Sequence, residues 1–141
     1  MRNKHILPFL LGLIVCILIV NMLALQYHLY WRIFWLDIPM HFLGGFWLGF
    51  GALWLYFLSG KFSVVPDKHR EPLYVITLAI ISAIVFGSLW EAYEFGIDIF
   101  ISLADVYNMR DTVTDLIMDV FGALVSAAYF IKGKYYSIEE K

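Results

Sequence analysis

Apolar residues run along this chain in four nearly continuous stretches, roughly 6–26, 38–58, 73–101 and 112–131, separated by short polar links. Each comes near the ~20 residues that a helix needs to cross a ~30 Å hydrocarbon core. Because the apolar positions do not alternate, strands are not indicated, and the pattern predicts an all-α polytopic membrane protein with four transmembrane helices. The short links predict a single domain over residues 1–141. The first stretch follows Arg2 and Lys4 as a signal peptide would, but it continues past Val20 without a small-residue cleavage site. It is expected to be retained.

Composition agrees with the pattern. Of 141 residues, 62% are hydrophobic and 16% charged, which is not the composition of a water-soluble domain. A formal charge of −2 provides no basic surface for a nucleic acid, and that class of partner is set aside. Cys16 is the single cysteine, so neither a disulfide framework nor a cysteine zinc site is expected. Within its apolar run it reads as a small lipid- or core-facing residue.

The basic residues are one-sided. Arg2, Lys4, Lys61, Lys68, Arg70, Lys132, Lys134 and Lys141 flank the same ends of the four stretches; of the ten Lys and Arg, only Arg32 and Arg110 fall at the other. By the positive-inside rule both termini and the central link are expected in the cytoplasm. Four crossings independently require both termini on one side. At the outward end, Tyr30, Trp31, Phe34 and Trp35 form an aromatic group suited to interfacial anchoring. Gly45 and Gly49 in the second stretch have the spacing that lets two helices approach closely.

The acids are equally one-sided. Asp37, Glu91, Glu94, Asp98, Asp105, Asp111, Asp115 and Asp119 lie on or beside the outward ends, eight of twelve. Asp37 and His41 are four apart and share a helix face; Glu91, Glu94 and Asp98 form a second stripe, and Asp111, Asp115 and Asp119 a third. Helix capping alone would account for Asp37, or for Asp111 and Asp115 through Thr112-x-x-Asp115. It does not account for His41, Glu91, Glu94 or Asp119, which lie inside apolar runs where an ionisable group costs ~2.5–3.5 kcal/mol. Such groups need partners.

Three stripes meeting at similar depth would gather up to seven carboxylates against Arg32, Arg110 and the imidazole. Either some carry protons or a cation neutralises them. Asp37, His41, Glu91, Glu94, Asp111, Asp115 and Asp119 are therefore the expected metal ligands. Oxygen donors with one imidazole suit a divalent ion: Mg²⁺, Mn²⁺ or Ca²⁺, with Zn²⁺ or iron admitted through His41.

Asp37-x-x-x-His41, Glu91-x-x-Glu94 and Arg110-Asp111-Thr112-x-x-Asp115-x-x-x-Asp119-x-x-Gly122-Ala123 resemble, in order and spacing, the small bacterial membrane proteins of the YjdF type and the wider VanZ-like group. The resemblance runs from about Asp37 to Ala123. Ile38 stands where VanZ-like proteins often have Lys, and Asp119 where they often have Asn. The resemblance implies a multi-helix fold in the bacterial cytoplasmic membrane with a polar pocket facing outward; it supplies no reaction.

Three functions remain open at this level. In the first, a divalent ion serves a hydrolase or transferase acting on a lipid-linked or envelope phosphate, with Glu91 or Glu94 as general base, His41 as ligand or acid, and Arg110 and Arg32 holding the anionic headgroup. In the second, the cluster binds a cation or envelope ligand without catalysis. In the third, the acids pass protons or cations, a use opposed by the nearly uncharged inward halves of the stretches unless a homo-oligomer builds the path.

Overall fold

Long apolar runs without alternation fold into helices, and no strand occurs among the described residues. The structure, a computed structural model, describes residues 5–33, 35–62, 65–101 and 109–135. Phe34 and Asp105 lie outside the described residues, as do the side chains of Trp31 and Asp98. The order is α1 (Ile6–Gln26), α2 (Leu29–Arg32), α3 (Asp37–Phe57), a 3₁₀ turn (Asp67–Arg70), α4 (Pro72–Ile101) and α5 (Met109–Lys132). Helices α1, α3, α4 and α5 are long and apolar enough to cross a membrane, and the chain is an all-helical membrane protein. Pro39 and Pro72 both fall in the first turn of their helices, where a missing N–H breaks no hydrogen bond.

Long helices that follow one another along the chain run in opposite directions. Trp47 Nε1 donates to the Leu10 carbonyl (2.8 Å) and Phe9 meets Phe50 edge-on, whereas Asn21 and Asp37 line one cavity at the other end. On α4, Tyr74 lies beside Tyr56 and Glu91 beside His41. On α5, Phe121 meets Phe42 and Phe130 meets Phe50, so α5 is parallel to α3. The link between α3 and α4, with Lys61, Lys68 and Arg70, therefore shares one end of the bundle with Lys132 and Lys134. The acidic residues of the helices occupy the other.

Helix α3 is the hub, packing on α1, α4 and α5. Its closest neighbour is α5, and glycine sets the separation: a Cβ on Gly45 would fall on the Asp119 carbonyl, one on Gly122 on the Phe42 carbonyl, and one on Gly49 would lie 3.0 Å from Ala123 Cα. The expected close approach at Gly45-x-x-x-Gly49 is thus made to α5. With lipid tails as apolar as the side chains, this fit rather than water exclusion holds the pair together.

The half of the bundle remote from the acids is packed with Phe50, Leu53, Val75, Ala79, Ala83, Ala123, Ala127 and Phe130. Val75, Ala79 and Ala83 recur every fourth residue, so α4 presents a stripe of small side chains to the aromatic layer of α3 and α5. Phe50 stacks on Phe46 (5.8 Å, 10°) and meets Phe130 edge-on (5.9 Å, 78°), both favoured ring geometries. Hydroxyls fold back on their own helices: Thr77 onto Leu73 O, Ser82 onto Leu78 O and Ser126 onto Ala123 O. That removes unsatisfied donors from the hydrocarbon layer. Cys16 is exposed on α1, where it faces lipid.

Of the three acids open to a capping role, Asp111 does lie in the first turn of its helix, whereas Asp115 and Asp37 do not occupy a cap position. Helix α5 already includes Met109, which puts Thr112 and Asp115 inside the helix rather than at its entrance. At α3 the N-cap position is Leu36, with no side-chain cap, and Asp37 is the first helical residue.

Candidate metal centre and its cavity

Three helices each turn an acidic face to one point. Helix α3 brings Asp37 and His41, α4 brings Glu91 and Glu94, and α5 brings Asp115 and Asp119, with His41 only 6% exposed, Asp115 4% and Asp119 2%. The imidazole is surrounded. Its Nε2 lies 3.6 Å from Asp37 Oδ1 and 3.8 Å from Glu91 Oε1, and its Nδ1 lies 3.5 Å from Asp119 Oδ2. These separations are at or beyond the reach of a good hydrogen bond. Glu91 Oε1 is buried and has no hydrogen-bond partner, a condition rare in native interiors.

Two sets of donor atoms have the spacing a cation requires. Asp37, His41 and Asp115 form one, and His41, Glu91 and Glu94 the other, with the ligand atoms of each set within 4.8 Å of one another. Donors bound to a common ion at ~2.0–2.6 Å stand at most about 4–5 Å apart. Across both sets the two faces of the imidazole differ: Asp37 and Glu91 meet Nε2, whereas Asp119 alone meets Nδ1. A metal-ligating histidine commonly gives its other nitrogen to a carboxylate that fixes the ring. Asp119, expected among the ligands, joins neither donor set and stands on the Nδ1 side of the ring.

The remaining expected residues are elsewhere. Asp111 is exposed one turn above Asp115 and joins neither set. Arg32 and Arg110 are exposed, line no part of the cavity described next, and form no ion pair with the cluster among the described residues. No Lys or Arg counters the five carboxylates around His41 within those limits.

Beside the cluster lies a cavity of about 280 Å³ between α1, α3 and α4. Asp37, His41, Glu94 and Asp119 form its polar corner, and Ile14, Ile17, Leu18, Met40, Leu48 and Phe86 are among its apolar walls. A few convergent polar groups in an otherwise apolar pocket are characteristic of ligand sites.

Three residues here escape a reading of the acids alone. Gly87 lies one turn from Glu91 on the same face, and a Cβ there would fall on Asp119 Oδ2; the four-residue spacing to Glu91 is its only signal in the sequence. Tyr30, from the outward aromatic group, donates to Asn21 Oδ1 (2.6 Å), and both line the cavity. Burial, with Asp37 and Glu94 adding to it, pushes the Tyr30 hydroxyl up to about 12, so it stays a donor. Helix α1 thus supplies a cavity wall.

A family model described as "Predicted membrane protein (DUF2238)" matches residues 1–133. No curated protein and no solved structure matches the chain. The family match spans nearly the whole chain, and the protein belongs to that family of membrane proteins.

Proposed function

We propose that this member of the DUF2238 membrane proteins binds a divalent cation at His41, Asp37, Glu91, Glu94 and Asp115 and uses it to hydrolyse or transfer a phosphate ester carried by a lipid or envelope molecule. The observation that carries the reading is the buried, unpartnered Glu91 Oε1 beside His41 Nε2, in a cluster with five carboxylates and no lysine or arginine partner among the described residues. A cation relieves both the repulsion and the missing contact.

When bound, such an ion polarises a phosphoryl oxygen and acidifies water. The protein's own groups divide the remaining work. Asp119, on Nδ1, is a positioning residue that holds the ring with Nε2 free to ligate. Glu94 belongs to both the donor set and the cavity wall and takes the proton of the attacking water as its oxygen bonds to phosphorus. The ester P–O bond then breaks, and the leaving oxygen takes a proton from the acid so formed. Arg32 and Arg110, at the same end of the bundle but outside the cavity, draw anionic lipids to that face.

The resemblance to YjdF-type and VanZ-like proteins and the crowding of lysine and arginine at the opposite end support a bacterial cytoplasmic membrane with the cluster outward. A transport path has little support: Phe50, Leu53, Val75 and Phe130 fill the other half of the bundle. The test is release of phosphate or alcohol from lipid phosphates by the purified protein with Mg²⁺, Mn²⁺, Ca²⁺ or Zn²⁺. Cation-dependent release is expected, and Glu94→Gln is expected to abolish it even at cation concentrations that saturate the variant. No release with any ion and any lipid phosphate overturns the catalytic part.

A further inference from the structure

The cavity is closed on one side and open on another. On its α3 and α5 side His41 and Asp119 are buried and no lining residue is exposed: Asp37, Met40, Gly44, Trp47 and Leu48 are all half-buried. Three lining residues on the α1 and α4 side are not: Leu18 is 50% exposed, Phe86 55% and Trp90 41%. Among the long helices, α1 packs chiefly on α3 and leaves its seam with α4 unsealed. Two polar contacts hold α1 without closing that seam, Trp47 of α3 to Leu10 O below the cavity and Tyr30 of α2 to Asn21 above it. Phe86 is ten residues inside Gly96, the outward limit of its span, or about 15 Å at 1.5 Å per residue. The open side therefore faces hydrocarbon, not water.

We propose that the seam between α1 and α4 is a lateral port through which a single-chain amphiphile enters from the bilayer, its apolar chain against Ile14, Leu18 and Phe86 and its phosphate headgroup at the His41 corner. This rests on the proposed cation site, since a phosphate has no attraction to five carboxylates without an intervening cation. The occupant follows from its surroundings: apolar walls opening to lipid take a hydrocarbon chain, and the polar corner takes the head. A volume near the lower end of the ~300–1,000 Å³ typical of ligand pockets suits part of one chain rather than a pair.

The test uses the full chain in phosphatidylcholine vesicles and a monoalkyl phosphate with a photoactivatable diazirine at its chain end, with and without the divalent cation. Adducts are expected on Ile14, Leu18, Phe86 and Trp90, increased by the cation, not displaced by inorganic phosphate, and lost in Leu18→Trp and in Ile14→Trp, which fill the port from α1. Retention of the cation-dependent melting shift in those variants shows that they fold. Adducts spread evenly over the lipid-facing Ile81, Ile117 and Val125, at a yield that neither variant changes, would overturn the port even if the cation binds. Loss of the cation-dependent melting shift in wild type reads separately: it overturns the phosphate headgroup and the reading beneath it.

Discussion

At the residue scale the site turns on His41, a single imidazole with carboxylates on both ring nitrogens. If Asp119 orients the ring and does not ligate, Asp119→Asn keeps the fold and weakens cation binding by about 10–100-fold, the usual cost of a lost supporting contact. Titration calorimetry in detergent measures this. Gly87→Ala, which adds a methyl where Asp119 Oδ2 lies, is expected to change affinity in the same direction without touching a donor atom; unchanged affinity in both variants would remove Asp119 from the site. The acids are legible in the sequence because they interrupt apolar runs at three- and four-residue spacing. Their division into ligand and support is not, because it depends on which ring nitrogen each carboxylate meets. Gly87 is invisible for a related reason: its role is an absence of side chain opposite a residue on another helix.

At the element scale, small residues decide how near α3 and α5 come. Gly45→Ala forces a methyl onto the Asp119 backbone and is expected to cost about 1–3 kcal/mol, as overpacking does. A methyl added at Gly51 would meet nothing within 4 Å, so Gly51→Ala is expected to be neutral or to stabilise by up to ~1 kcal/mol through helix propensity. Thermal unfolding of both variants in one detergent compares them; equal losses would refute the close contact of α3 and α5 at Gly45. The four long helices and most of their limits follow from the apolar runs, since hydrocarbon admits no other open backbone. The short α2 and the 3₁₀ turn have no such periodic signal. The Thr112-x-x-Asp115 pattern misleads because tertiary placement extends α5 back to Met109, carrying a cap-like motif into the helix interior.

At the scale of the whole molecule, one end is basic and the other acidic, and the two halves of the bundle differ as sharply: a dry aromatic core and a polar cluster with a lateral cavity. With the cluster outward, Lys61→Cys in a Cys16→Ser background should react with an impermeant thiol reagent only after cells are opened, whereas Asp111→Cys should react from outside. The reverse pattern would invert the orientation. Which helices gather the acids is legible from the stripes; the cavity is not, since it arises from how loosely α1 meets α4. The most direct measurement is elemental analysis of the purified protein, paired with melting temperature against added divalent cations, for wild type and Glu91→Gln. A stoichiometric cation that raises the melting temperature of wild type, with both effects weakened in Glu91→Gln, is the predicted result. Wild-type protein that retains no divalent metal and melts at the same temperature with and without added cation would contradict a cation site at His41.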